Sequence, residues 1–397
     1  MLVLISNVGS TSLKFKLYDM PSEHVLCDAK IERIGSLNGI YHYKNDENDK
    51  EHNEHDIPLK DYQSGINLFI KDLCDKELGV IQDVNEIEAI GFKTVISKGF
   101  NGTVELNEEV MKGMKDYLFI APVHNAAYIG AIEEFKTILG SIPMIGVFET
   151  SFHRTIPLKN KLYPIPYEWY EKYGIAKNGY HGASFTYIAN KARKDGDYKY
   201  IIGCHLGGSS SICAIKDGKS YDSSFGFSLQ TGLPHMNRSG DCDPYIALFL
   251  ENEGLSKEEI IEGLAHKGGL QGMSGYNDFR EIEAAAIKGE QRAKLAIDVF
   301  VNDIVRYIGS FYAEMGGFDK LVFTGGIGEN SKLVRSGVAK ALECFGIKID
   351  ENKNNNISVD GYISSDDSKV KIQVIAANEE LGIAIETYNY INSKKNA

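Results

Sequence analysis

One short pattern occurs twice in this chain, half its length apart, and it restricts the fold more than any other feature. Near the start, the β-branched-rich run at residues 2–6 leads into Asn7-Val8-Gly9-Ser10-Thr11-Ser12 and then residues 13–18, where Leu13, Phe15 and Leu17 alternate with Lys14 and Lys16. Period-two alternation beside a small-residue turn predicts strand, tight turn, strand. Residues 200–205, Leu206-Gly207-Gly208-Ser209-Ser210-Ser211 and residues 212–216 repeat the pattern, closed by an Asp217-Gly218 turn. Gly9-Ser10-Thr11-Ser12-Leu13 superposes on Gly208-Ser209-Ser210-Ser211-Ile212 at an offset of 199 in 397 residues, which predicts an internal duplication. A chain of this length holds two or three domains, and a site between domains is then the default expectation.

The intervening segments read as alternating strands and helices. Strands are expected at residues 86–96, 142–148, 320–324 and 370–376, and helices at 108–118, 126–139, 244–253, 257–264, 278–288 and 291–314. Another helix starts near Lys332, and Asn378-Glu379-Glu380 introduces a terminal one. This alternation implies an α/β protein with mixed sheets and flanking helices. Residues 44–56 (KNDENDKEHNEHD) read as a solvated loop, with no chemistry assigned to His52 or His55.

Charge and cysteine usage exclude several classes of partner. Lys and Arg total 43 against 55 for Asp and Glu, a formal net charge of −12, which argues against nucleic acid and anionic membrane as partners. The six cysteines are scattered without a CxxC pair, and no signal segment or long apolar run occurs, so a cytoplasmic location is expected. No Walker pattern, no GxGxxG and no HExxH occurs, which removes P-loop, dinucleotide and zincin readings.

What remains are small clusters suited to anions. Three turns rich in glycine and small hydroxyls, at residues 7–12, 206–211 and 325–330, stand at strand ends where backbone N–H groups approach an anion closely. Arg238-Ser239-Gly240-Asp241-Cys242-Asp243-Pro244 places an arginine and two carboxylates before a helix, a geometry for clamping phosphate or carboxylate, or for a capping salt bridge. In Asn277-Asp278-Phe279-Arg280, Asp278 suits a cap and Arg280 an anion contact. His124, His181 and His205 follow short apolar runs, and Glu379 suits either a magnesium ligand or a helix cap.

With these motifs in order, the chain resembles the acetate kinase family of short-chain carboxylate kinases. NVGSTSLKF, APVHNAA at 121–127, VFETSFHRTIP at 147–157, GYHGAS at 179–184, HLGGSSS from His205, NRSGDCDP at 237–244, NDFR, FTGGIGENS at 323–331 and NEEL carry the resemblance. It implies the duplicated two-lobe fold of the sugar kinase, heat-shock ATPase and actin superfamily, with an interlobe cleft. The implied lobes are 1–150 plus 382–397, and a nucleotide-binding lobe at 151–381. The implied reaction is reversible, direct in-line phosphoryl transfer from ATP to acetate or propionate, giving acyl phosphate and ADP.

The resemblance also assigns roles residue by residue. Arg238, His181, Glu149, Lys93 and Asn7 are the expected catalytic residues. Lys93, Val95, Val123, His124, Tyr180, Leu229 and Arg238 are expected around the carboxylate. Nucleotide is expected at Lys14, His205, Gly207, Gly208, Ser209, Ser210, Asp278, Phe279, Arg280, Gly326, Ile327, Gly328 and Asn330. Asn7 and Glu379 are implied ligands of Mg²⁺, or of Mn²⁺ in its place, and a homodimer is implied, with the helix at 291–314 as an interface element.

Several positions depart from the family pattern. Lys93 stands where the family has arginine and Glu149 where it has aspartate. His205-Leu206-Gly207-Gly208-Ser209 lacks the family's asparagine, Leu229 replaces a common proline, and Tyr180 a common phenylalanine, adding a hydroxyl to the expected pocket floor. These departures leave two other readings open: a relative using another donor, such as pyrophosphate, or another acceptor, and a non-catalytic nucleotide-binding protein.

Overall fold

The computed structural model describes residues 1–119, 122–358 and 360–395, with the side chains of residues 122–124 outside the description. The chain divides into two compact units, Met1–Ser151 with Asn378–Ala397, and Phe152–Ala377.

Unit 1 is built on β1 (Leu2–Gly9), β2 (Ser12–Asp19), β3 (His24–Glu32), β4 (Ser36–Asn45), β5 (Glu51–Leu59), β6 (Ile87–Thr94), β7 (Thr103–Glu105) and β8 (Met144–Phe148). They form one eight-stranded sheet in the order β5-β4-β3-β2-β1-β6-β8-β7. The central strands are apolar on both faces because helices cover both. Alternation along β6 shows this: Phe92 packs edge-on against Phe135 of helix Pro122–Leu139, whereas the next-door Gly91 faces Ile383 and Thr387 of helix Glu379–Lys395.

The polar segment at residues 44–56 is not a loop. It forms the end of β4, a turn and most of β5, paired in register from Lys44↔Glu51 through Tyr43↔His52 to Ile40↔His55. An edge strand carries backbone pairing on one side only, and charged side chains there guard the open side, so it needs no apolar alternation. His52 is tied down as well, its Nδ1 lying 2.7 Å from Asp72 Oδ2 on helix Tyr62–Leu73.

Unit 2 contains β9 (Tyr200–His205), β10 (Ser211–Lys216), β11 (Lys219–Ser223), β12 (Lys320–Thr324), β13 (Gly361–Tyr362) and β14 (Lys371–Val374), in the order β11-β10-β9-β12-β14-β13. One face, with Ile201, Cys213 and Val322, packs on Phe185, Ile188 and Ala192 of helix Gly182–Lys194. The other, with Ile202, Ile212 and Leu321, packs on helices that include Gln291–Met315. That long helix buries Ala293, Ala296, Ile297, Phe300, Ile304, Ile308 and Phe311, so its apolar stripe is core rather than an exposed interface.

The duplication is visible strand for strand. Both β3-β2-β1-β6-β8-β7 and β11-β10-β9-β12-β14-β13 run antiparallel, antiparallel, parallel, parallel, antiparallel, and β4-β5 is an addition to unit 1.

Candidate active site

In each unit, candidate side chains stand near the C-terminal ends of the parallel strands, in the adjoining hairpin and at nearby helix starts. In unit 1, Lys93 near the end of β6 lies between two carboxylates, with Nζ 2.9 Å from Glu149 Oε1 and 2.6 Å from Glu379 Oε2. Glu149 directly follows β8, the parallel neighbour of β6, and Glu379 opens the C-terminal helix that covers the same sheet. Burial works against the Lys93 charge, but Glu149 and Glu379 outweigh it and hold the ammonium well above its ordinary range. Glu379 therefore belongs with unit 1, not with the nucleotide lobe in which the sequence placed it.

Tyr128, unremarked in the sequence, completes this cluster. Its hydroxyl donates to Asn7 Oδ1 at 3.2 Å, and burial drives its own pKa upward, keeping it a phenol. No motif advertised it, since a tyrosine on an apolar helix face reads as core.

These groups suit a hard cation. Glu149 and Glu379 offer carboxylate oxygens, and no set of three or more His, Cys, Asp or Glu capable of holding a metal occurs among the described residues. A divalent ion here would complete its shell with phosphate oxygens and water, as Mg²⁺ commonly does. Asn7 is a weaker fit, because one lone pair of its Oδ1 is already engaged by Tyr128. Lys14 pairs with Asn7 in the β1–β2 register and belongs to unit 1, whereas the other nominated nucleotide residues belong to unit 2. Val95 is buried in unit 1, and the side chains of Val123 and His124 lie outside the described residues.

In unit 2, His181 occupies the N-cap position of helix Gly182–Lys194 with φ 60°, a left-handed conformation that histidine tolerates better than most residues. Its Nδ1 lies 2.8 Å from Ser211 Oγ, and its ring stacks on His205 at 4.1 Å. His205 Nδ1 lies 2.9 Å from Ser184 Oγ. The turn is braced by His153, fully buried, whose Nε2 donates to the Tyr180 carbonyl at 2.8 Å and whose Nδ1 accepts from Ser220 Oγ at 2.9 Å. Burial lowers the His153 pKa to about 4. Gly179 is required at its position, for φ is +70° and a Cβ would stand 2.3 Å from the His153 ring.

Arg238 donates from Nη1 to the Leu229 carbonyl at 2.7 Å, and burial lowers its pKa to about 10, so it remains charged at neutral pH. Asp241 does not join it as an anion clamp; it accepts from Gly232 N–H at 2.8 Å and from the Tyr307 hydroxyl, while Asp243 caps Tyr245 N–H. The Tyr180 hydroxyl likewise does not face an acyl pocket as a free donor, since it donates to the Phe227 carbonyl at 3.0 Å.

A cavity of about 580 Å³ is lined by Gly207, Gly208, Met236, Asn277, Asp278, Phe279, Arg280, Glu283, Gly326, Ile327, Asn330 and Ser331. This volume suits a nucleotide-sized ligand. Eight of the thirteen nominated nucleotide residues line it; Met236, Asn277, Glu283 and Ser331 line it as well without having been nominated, Asn277 and Ser331 lying in the NDFR and FTGGIGENS motifs and Met236 and Glu283 carrying no local signal. Residues 325–330 form a short helix rather than an open turn, and Ile327 and Gly328 turn their N–H groups inward to the Leu206 carbonyl at 2.8 and 3.1 Å. Ser210 N–H is similarly engaged, donating to His235 Nδ1 at 3.0 Å. Asp278 caps helix Phe279–Lys288 and pairs with Arg280, which lowers its pKa to about 2.

Known proteins match this architecture along its length. Residues 2–385 match the Acetokinase family. An acetate kinase of Carboxydothermus hydrogenoformans is 44% identical over 99% of this chain and 100% of its own. Among solved structures, acetate kinase of Porphyromonas gingivalis and a propionate kinase of Francisella tularensis each superpose with a TM-score of 0.87 at 34% identity, covering 98% of this chain and 99% of theirs. On this full-length similarity, the chain belongs to the acetokinase family.

Proposed function

We propose that the protein transfers the terminal phosphoryl group of ATP to the carboxylate of acetate or propionate, giving acyl phosphate and ADP, and catalyses the reverse. The observation that carries this reading is the full-length match to acetate kinases, coupled to a cation cluster and a nucleotide-sized cavity at matching strand ends. In-line phosphoryl transfer asks for positioning and charge neutralisation rather than covalent catalysis. Arg238 and Lys93 neutralise the carboxylate and the transferring group, and His181 donates to its equatorial oxygens. Val95 and Leu229 border the acid, whereas the Tyr180 hydroxyl holds the Phe227 carbonyl. Gly208, Ser209 and Gly326 present backbone donors to phosphate, and Asp278, Phe279 and Arg280 border the base. Glu149 and Glu379 would hold Mg²⁺, which when bound would further neutralise phosphate charge.

A cytoplasmic location accords with six free cysteines and with the absence, among the described residues, of any helix long and apolar enough to cross a membrane. A homodimer is supported by helix Tyr245–Asn252, which buries no residue and exposes Tyr245, Ile246, Leu248 and Phe249. The decisive test is acyl hydroxamate formation with acetate, propionate, butyrate or no acid, against ATP, GTP and pyrophosphate. ATP-dependent product with a short acid is expected; no product from any pair would defeat the reading.

A further inference from the structure

His235 takes no part in the transfer described above, yet it is fully buried at the back of the phosphate loop. In unit 1 the equivalent hairpin closes at Gly9↔Ser12, leaving a two-residue turn whose carbonyls are met by Tyr62 and Ile34. In unit 2 pairing stops at His205↔Ser211, so residues 206–210 form a five-residue loop. Such a loop holds its N–H groups in one direction only if its far end is anchored.

Its anchors are spread along it: Gly207 N–H donates to Ser210 Oγ at 3.1 Å, that hydroxyl donates back to the Gly207 carbonyl at 3.0 Å, and the Leu206 carbonyl accepts from Ile327 and Gly328 N–H, while the far end is held from outside by His235. Leu206 N–H donates to the Thr324 carbonyl at 2.9 Å, fixing the start. The middle is held by Met236 N–H on the Gly208 carbonyl at 2.9 Å, and the end by Ser210 N–H on His235 Nδ1 at 3.0 Å. His235 is itself fixed through its backbone, with N–H on the Arg238 carbonyl at 3.0 Å and its carbonyl accepting from Leu270 N–H at 2.9 Å. Its ring stacks on Phe225 with centroids 5.1 Å apart, and Phe225 meets the His181 ring edge-on at 5.3 Å. One side chain thus ties the loop to the Arg238 turn and, through Phe225, to His181.

We propose that His235 is a positioning residue that orients the phosphate-binding loop, its Nδ1 accepting the Ser210 N–H so that Gly208 and Ser209 keep their N–H groups aimed at the nucleotide phosphates. The inference rests on the reading of that loop as the phosphate cradle. Because Nδ1 accepts, the ring proton is on Nε2, and a doubly protonated ring would set N–H against N–H. Burial, reinforced by the nearby Arg238 charge, keeps the ring in its neutral form.

The test compares His235→Met, which fills the volume without an acceptor, with His235→Asn, whose Oδ1 falls near the Nδ1 position, and His235→Gln, whose amide reaches toward the Nε2 position. ADP binding is measured by calorimetry on the whole protein, beside KM for nucleotide and for carboxylate. Wild-type protein is expected to bind ADP. His235→Met should weaken ADP binding by about ten- to a hundredfold, the loss expected when a backbone donor to a charged phosphate is misdirected, with the carboxylate KM little changed. His235→Asn should recover most of the loss and His235→Gln little of it, a pair that decides the matter even if the methionine variant fails to fold. Equal ADP affinity in the asparagine and glutamine variants overturns the role of Nδ1. Wild-type protein that does not bind ADP overturns the cradle reading itself, and the proposal with it.

Discussion

The two units share a strand order and part company at one hairpin. Between β1 and β2 the turn is Ser10-Thr11 alone, with the Tyr62 hydroxyl donating to the Gly9 carbonyl at 2.8 Å; between β9 and β10 it is residues 206–210. The longer turn changes what the next strand can bring close. In unit 2, β12 is followed by Gly325-Gly326, and a Cβ on Gly325 would stand 2.7 Å from the Leu206 carbonyl oxygen; in unit 1, β6 is followed by the buried Val95-Ile96. One copy of the motif therefore borders a cavity lined in part by glycine backbone. The other kept a tight turn and gathered its charge in side chains, Lys93 with Glu149 and Glu379. A duplicated framework specifies where a site can be, and loop length decides whether backbone or side chains furnish it.

The sharpest way to separate the two halves is to remove the unit 1 charge. Lys93→Met should lower kcat for acyl phosphate formation by roughly 10²- to 10³-fold, the range seen when one preorganised charge or donor is lost, while ADP affinity stays within about threefold. Hydroxamate rates and ADP calorimetry on the same preparation check this. A parallel loss of ADP binding would show that the division of labour between the units is wrong.

Acid should break the comparison from the other side, because the buried histidines His153 and His235 belong to unit 2. The His153 pKa is depressed in the folded protein from about 6.5 to about 4, so the ring is neutral in both states above pH 6.5 and its contribution is then complete. As pH falls from 6.5 to 4 the unfolded chain takes up a proton that the folded chain refuses, and stability drops by about 1.4 kcal/mol per pH unit, at most roughly 3 kcal/mol in all. The single tryptophan, Trp169, reports on unit 2. Its urea midpoint should fall between pH 7 and 4.5, and less steeply in His153→Gln. A smaller effect is expected of Gly325→Ala, where φ of +78° and the Leu206 contact together cost about 1–3 kcal/mol and loosen ADP binding, with the Lys93 cluster undisturbed.

Much of this arrangement was legible in the sequence, for identifiable reasons. The duplication was readable because alternation around a small-residue turn survives in both hairpins, and the parallel strands because their burial on two faces leaves unbroken apolar runs. β5 was not, since an edge strand of charged residues has no apolar alternation to read. Glu379 could be seen as a carboxylate at a helix start but not as the partner of Lys93, 286 residues away in sequence. Backbone donors were over-nominated for a similar reason. A glycine-rich turn reveals closely spaced N–H groups, yet only tertiary contacts show that those of Ser210, Ile327 and Gly328 already serve the protein itself.

Tyr180 gives the finest test of how far such reading extends. Its hydroxyl would matter to acid selectivity if it lined the acyl pocket, but it donates to the Phe227 carbonyl, which also receives Asn178 Nδ2 at 2.7 Å. Tyr180→Phe therefore removes one of two donors to that oxygen, which keeps its bond from Asn178. Its cost should be near the low end for a hydrogen bond, about 0.5–1 kcal/mol in urea unfolding. The ring contact with Phe225, centroids 5.2 Å apart, is retained, and with it the seat of His181. The ratio of kcat/KM for acetate over propionate should stay within about twofold, because that discrimination rests on apolar fit worth roughly 1–3 kcal/mol per methylene. A shift of tenfold or more would mean that the hydroxyl leaves Phe227 to meet the acid, and the departure at this position would then be one of specificity rather than of support.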